Sequence, residues 1–284
     1  MTAIETLLDG LIDYAGIYPP AALDLETAAR NYMRYRSGRH SRALGRFVMD
    51  GERLGDLRRA AEPSAAAIPL TVCIASANGC NSLLSELGPG MRADSFEIKG
   101  AAPDQIASLI RGLPPGAIAY FEVPLESDCS RALDAVCAVG ARVKLRMGGV
   151  VAGAFPSALA TVAMLRALAD RHLTFKATAG LHHPLRSRHP FAGAADSPVG
   201  EMHGFLNLFC AASFIYFGGS EEDACDLLNE TDRAAFRIAS DSISCGSFSV
   251  NIAQIQEVRN EFFISFGSCS FEEPIADLEA LGWL

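Results

Sequence analysis

Charged side chains recur inside otherwise apolar runs of this chain, and their spacing is the first sign of chemistry. Arg46 and Asp50 flank Val48 in RFVMD, Glu97 and Lys99 stand two apart in FEIKG, and Tyr120 and Glu122 in YFEV. Lys144 and Arg146 do the same in VKLRM, and Lys176 and Thr178 in FKATAG. If each run is a strand, residues two apart share a face. The intervening Phe47, Phe96, Ile98, Phe121, Val123, Val143, Leu145 and Phe175 then form the opposite, apolar face. Taking an ion into a low-dielectric interior costs several kcal/mol unless partners compensate. Packing alone does not call for that cost, so charged inner faces are expected to build a site. Five cations (Arg46, Lys99, Lys144, Arg146, Lys176) stand against three anions (Asp50, Glu97, Glu122) in a chain whose formal net charge is −9. That local excess predicts an anionic partner, a phosphorylated or carboxylated small metabolite.

Lysines brought close to other cations, and buried, are expected to have a lowered ammonium pKa. A neutral amine is a nucleophile toward carbonyl carbon, which is how Schiff-base enzymes begin. Lys144 and Lys176 are the candidates for that role, with Glu97 or Glu122 to move the proton.

Positioning these residues requires several strands ending at one rim. Short β-rich runs alternate with helical patterns along the whole chain, the α/β signature. Strands are expected at 13–18, 45–50, 70–76, 95–100, 118–124, 142–148, 174–181 and 262–268. Helices are expected at 4–11, 25–35 with Asp24 as N-cap, 52–61, 81–87, 103–111 opened by Pro103, 129–139 and 156–170. Further helices are expected at 202–217, 221–229, 252–260 and 274–281, with a β-hairpin over 236–250. Eight strands with helices between them predict a single-domain (β/α)8 barrel over 1–284, with an extended connection and insertion after the seventh strand at about 185–250. The alternative is a doubly wound open sheet, but no G-x-G-x-x-G turn follows an early strand. In the barrel, Ala179-Gly180 and Ser265-Phe266-Gly267-Ser268 end the two strands whose loops often hold phosphate, so Gly180, Gly267 and Ser268 are candidate anion ligands through their N–H groups.

The segments Val143-Lys144-Leu145-Arg146-Met147-Gly148-Gly149 and Phe175-Lys176-Ala177-Thr178-Ala179-Gly180-Leu181 resemble the two lysine-bearing strands of class I aldolases of the deoxyribose-phosphate aldolase type. The resemblance implies that Lys144 forms the imine and that Lys176, in a K-A-x-G-G-like run, depresses its pKa, although the two roles could be exchanged. The sequence departs from the family at Arg146 and Met147, where small hydroxyl residues are usual, at Ala179, and in its longer connection after the seventh strand.

Histidines offer a competing chemistry. His182 and His183 follow the seventh strand, His189 lies beyond them and His203 opens an apolar helix near Asn207. They could bind substrate, act as acid and base, or with Glu97 or Glu122 hold a divalent metal. No H-x-H or H-E-x-x-H spacing supports the metal, and no cofactor is expected. Three further readings therefore stand beside the imine enzyme: an isomerase or epimerase using Glu97 and Glu122 as acid and base with the lysines and Arg146 clamping a phosphate or carboxylate, a metal-dependent lyase or hydrolase, and a non-catalytic binding protein.

Composition narrows the classes. The chain has 284 residues, half of them hydrophobic and a fifth charged, which excludes a disordered or fibrous protein. The pI near 5.2 argues against bulk electrostatic binding of nucleic acid. Eight cysteines show no C-x-x-C pair, and Cys73, Cys137 and Cys210 fall in apolar runs, so reduced thiols and a cytoplasmic setting are expected. The acidic, periodic N-terminus is unlike a signal peptide, and the longest apolar stretch, 205–217, is too short for a bilayer, so no membrane association is expected. The stripe Phe205, Leu208, Phe209, Ala212, Ile215 and Tyr216 fits core packing or an oligomer contact.

Overall fold

A computed structural model describes residues 1–60, 68–74, 84–85, 91–125, 128–191 and 197–284. In chain order the elements begin α1 (Ala3–Leu8), β1 (Ile12–Tyr14), α2 (Leu25–Arg36), β2 (Leu44–Asp50), α3 (Leu54–Ala60), β3 (Ile68–Ile74) and β4 (Met91–Ile98). They continue α4 (Ile106–Arg111), β5 (Ile118–Val123), α5 (Ser130–Ala138), β6 (Arg142–Arg146), α6 (Ala158–Ala169) and β7 (Phe175–Thr178). Then come β8 (Ser187–Pro190), β9 (Val199–Met202), α7 (Phe205–Tyr216), α8 (Glu221–Asn229), β10 (Phe236–Ile238), β11 (Ser242–Cys245), β12 (Phe248–Asn251), α9 (Ile252–Glu261), β13 (Phe263–Ser268) and α10 (Glu272–Ala280). Of the expected helix at 81–87 all but residues 84–85 lie outside the described residues.

Eight parallel strands close into a barrel in the order β1-β13-β7-β6-β5-β4-β3-β2, so the expected (β/α)8 architecture is the one observed. The apolar alternate residues of the strands carry the packing. Phe47, Phe96, Ile98, Phe121, Val123, Val143, Leu145 and Phe175 are all 2% exposed or less and belong to one continuous core with the helices. Burying a side chain of this kind contributes roughly 1.5–3 kcal/mol, so this shell is what holds the charged inner face in place.

Local chemistry sets the helix starts. The Asp24 carboxylate accepts from the Thr27 N–H, as its position predicts, and the Ser157 and Ser220 hydroxyls accept from the Ala160 and Asp223 N–H groups. Because Ser157 is the cap, α6 begins after Pro156. Likewise Pro103 sits in a turn before α4 and not in its first helical turn. The segment 51–53 is a short 3₁₀ turn preceding α3, so that helix starts later than expected.

Between β7 and β13 the chain adds a two-stranded hairpin (β8, β9), two helices and a three-stranded antiparallel sheet (β10, β11, β12) where a simple hairpin was expected. Helix α7 is buried almost throughout, which accounts for its all-round apolarity. By length and composition the segment Ala152–Ala169, longer than the apolar stretch 205–217, is apolar enough to cross a membrane. Thr161, Val162, Met164, Leu165 and Leu168 of this segment are buried within the fold.

Strand β7 stops at Thr178, three residues earlier than expected, because Ala179 (φ 60°) and Gly180 (φ 67°) turn into the left-handed region. This turn presses Gly180 against Gly148 after β6. A Cβ added at Gly180 would lie 2.8 Å from the Gly148 Cα and 2.7 Å from the Phe155 ring. The β6 and β7 ends can thus approach only as a pair of glycines, which draws the two lysine-bearing strands together at the C-terminal rim.

Candidate active site

The C-terminal ends of the strands surround a cavity of about 620 Å³. Its wall includes Asp50 (β2), Cys73 (β3), Glu97 (β4), Glu122 (β5), Lys144 and Arg146 (β6), with Lys99, Thr178, Gly180, His182 and Gly267 at the rim. Tyr18, from the turn after β1, completes one side. In this fold that face is where catalytic loops gather.

At the floor the charges form one network. The Lys144 ammonium donates to Glu97 Oε2 at 2.9 Å and lies 2.8 Å from Glu122 Oε2. Beneath it, Lys176 Nζ donates to Asp13 Oδ2 at 2.6 Å and sits 2.6 Å from Glu97 Oε1. Glu97 therefore bridges both lysines, one on each carboxylate oxygen. Asp13 also accepts from the Arg46 N–H at 2.7 Å and the Ser265 hydroxyl at 2.9 Å, and Lys176 lies 5.4 Å above the Tyr120 ring.

Two expectations are corrected by this arrangement. The lysines do not depress one another: although desolvation opposes their charge, Glu97 and Glu122 push the Lys144 pKa above the ordinary lysine range, and Asp13 and Glu97 do the same for Lys176. The inner face also has no surplus of cations at the floor. Arg46 points away from the cavity, pairs with Asp94 and donates to the Leu70 carbonyl, while Asp13 adds an anion that the sequence count omitted. What is positive is the mouth. Lys99 and Arg146 are exposed there, and neither has an ion-pair partner among the described residues.

Glu97 responds to its neighbours in the opposite sense. Burial raises its pKa, but the attraction of Lys176 and Lys144 overcomes this and brings it down to about 2. A carboxyl whose folded pKa lies below its unfolded value stabilises the fold above the unfolded value and loses that contribution as pH falls through the folded one. Glu97 should thus contribute about 3 kcal/mol at neutral pH, lost between about pH 4.5 and 2. Denaturant titrations across that window should show stability falling with acid, with a shallower slope in Glu97→Gln. Equal slopes would show that Glu97 is not held this way.

The remaining candidates divide by position. Thr178, Gly180, His182 and Gly267 line the cavity, whereas Lys176, His183, His203 and Ser268 do not. His203 Nε2 donates to the Pro156 carbonyl at 2.8 Å, and its Nδ1 accepts from the Arg186 guanidinium at 3.2 Å. That fixes a neutral ring, and burial lowers its pKa further, so His203 ties the hairpin base to the barrel. His183 Nδ1 bonds Asp277 Oδ2 at 2.6 Å and stacks on His189, while His182 Nδ1 is 3.1 Å from Glu273 Oε2. Ser268 is buried, its hydroxyl accepting from the Ser270 N–H. Among the described residues no three His, Cys, Asp or Glu side chains converge as a metal site.

The sequence reading missed Asp13 and Cys73 as parts of this assembly, whereas Tyr18, placed by its sequence position at the rim where strand one ends, does line the cavity. Cys73 Sγ lies 3.6 Å from Glu97 Oε2, where burial first and then Glu97 push its thiol up to about 12. The Tyr18 hydroxyl donates to Asp50 Oδ1 at 2.7 Å. The signal for Asp13 was present, since it interrupts the apolar run Leu11-Ile12-Asp13-Tyr14 as Lys144 interrupts its own. The chain matches no known protein family and no curated protein by sequence, so the residues of this rim are what speak for its chemistry.

Proposed function

We propose that this protein is a barrel enzyme acting on a small anionic carbonyl compound through an imine on Lys144, an aldolase or lyase of the class I type. The observation that carries the reading is the setting of Lys144. It is a largely buried amine that reaches the cavity floor between two carboxylates, under a mouth bearing exposed Lys99 and Arg146. Those two cations suit a phosphate or carboxylate on the substrate. At rest Lys144 is an ammonium and cannot attack. Glu122, 2.8 Å away, is placed to accept its proton when a carbonyl carbon arrives. Lys176 matters indirectly: by holding Glu97 Oε1 it limits how strongly Glu97 can stabilise charge on Lys144. In imine formation the nitrogen bonds the carbonyl carbon. Two of the three ammonium protons leave with the carbonyl oxygen as water, carried by Glu122, and the third stays on the iminium nitrogen.

One observation favours a second reading. Glu97 and Glu122 raise the Lys144 pKa, so a permanently charged Lys144 could polarise a carbonyl while Glu122 moves a proton beside it, which is isomerase chemistry.

Borohydride trapping separates them. The protein would be incubated with pyruvate, dihydroxyacetone, acetaldehyde and small sugar phosphates, reduced, digested and mapped by mass spectrometry. A reduced adduct is expected on Lys144 and not on Lys176, whose side chain is 1% exposed. No adduct across the panel would overturn the imine reading.

A further inference from the structure

Asp50 is unlike the other carboxylates of the barrel interior. Asp13, Glu97 and Glu122 each lie within 3 Å of a lysine ammonium. Asp50 lines the same cavity, yet among the described residues it has no lysine, arginine or histidine partner, and the hydrogen bond it receives comes from Tyr18. Its position is equally distinctive. In the closed order of eight strands β2 lies four places from β6, so Asp50, the last residue of β2, stands on the opposite wall of the cavity from Lys144 and Arg146. A carboxylate left without a cation in a pocket costs desolvation energy, and it repels an anionic group near it. The anionic end of a substrate would accordingly sit by Lys99 and Arg146, leaving Asp50 to meet a group that can give it a proton.

Resting on the imine reading, we propose that Asp50 is the base that takes the hydroxyl proton when the carbon–carbon bond breaks, and that Tyr18 positions it. The substrate is then an anionic β-hydroxy carbonyl compound. With the carbonyl carbon held as an iminium on Lys144, the β-hydroxyl lies on the far side of the cavity. Its proton passes to Asp50 Oδ2. The O–H electrons become the new carbonyl bond, the bond between the α and β carbons breaks, its pair becomes the enamine C=C bond, and the C=N pair moves onto the Lys144 nitrogen. An aldehyde departs and the proton stays on Asp50, from where the reverse addition returns it. Tyr18 donates to Oδ1 and leaves Oδ2 for the substrate. Burial keeps the Tyr18 phenol protonated far above its ordinary range, so it acts as a donor throughout.

The test separates three steps with one probe set. The donor that tags Lys144 is followed by borohydride trapping, by exchange of its α-protons in deuterated water, and by condensation with glycolaldehyde or glyceraldehyde 3-phosphate. Asp50→Asn is expected to tag and exchange within about 3-fold of the wild type and to condense on the order of 10²–10⁴-fold more slowly. Tyr18→Phe should lower condensation about 10-fold with exchange unchanged, the loss of one hydrogen bond to a charged group. An Asp50→Asn protein that tags, exchanges and condenses like the wild type overturns the assignment and leaves the imine reading intact. Absence of any tag in the wild type overturns both. Should Asp50→Asn lose tagging as well, Tyr18→Phe decides: condensation falling alone supports the assignment, and all three steps unchanged overturns it.

Discussion

Lys176→Met is expected to destabilise the barrel by about 3–5 kcal/mol, the usual consequence of removing one partner from a buried ion pair. The lysine is 1% exposed and holds two carboxylates at 2.6 Å, so its loss leaves Asp13 and Glu97 facing each other without a counter-charge. Asp13 would retain only the Arg46 N–H and the Ser265 hydroxyl, and Glu97 only Lys144 and the Cys73 thiol. Neither set replaces an ammonium in a site that water does not reach. The melting temperature should fall on the order of 10 °C. Pairing the substitution with Asp13→Asn should recover part of the loss, because one of the two stranded charges is then gone. Denaturant midpoints of the two single variants and the double give that coupling directly. A Lys176→Met protein within about 1 kcal/mol of the wild type would mean that the network is solvated and that the floor is not the rigid platform described above.

The same network shows where the sequence was legible and where it was not. The barrel could be read because each strand obeys a period of two with an aromatic or β-branched face, and that face is fixed by local residue types alone. Glu97, Glu122, Lys144 and Lys176 followed from the same periodicity, since a charge in mid-strand stands out against apolar neighbours. The ion pairing did not follow, because it depends on which strands are adjacent and on where each one starts. Taking the first strand to begin at Asp13, when it begins at Ile12, made Asp13 look like a strand edge. Starting the fourth strand at Ser95 left out Asp94, the residue that draws Arg46 away from the cavity. Strand starts displaced by one residue and by four thus changed the apparent charge of the whole interior. The inferred direction of the lysine pKa shifts failed with it. Repulsion between Lys144 and Lys176, which are in register on neighbouring strands, is outweighed by the carboxylate lying between them.

Replacing Lys144 by arginine should abolish the reaction while sparing the fold, with a loss on the order of 10³-fold or more in exchange and condensation of the carbonyl donor that tags the wild type. Arginine keeps a positive charge against Glu97 and Glu122, so the platform loses no counter-ion, and thermal stability should change far less than in Lys176→Met. A guanidinium remains protonated at any pH the protein tolerates and cannot form the carbon–nitrogen bond. If Lys144 serves only as a fixed charge polarising a carbonyl, the arginine variant should retain activity within about 10-fold, because a cation still faces the substrate oxygen. The readout is α-proton exchange by NMR beside borohydride mapping. Loss of both together ties the chemistry to the amine itself, whereas exchange surviving without any tag would move the protein to the isomerase reading, with Glu122 as its base.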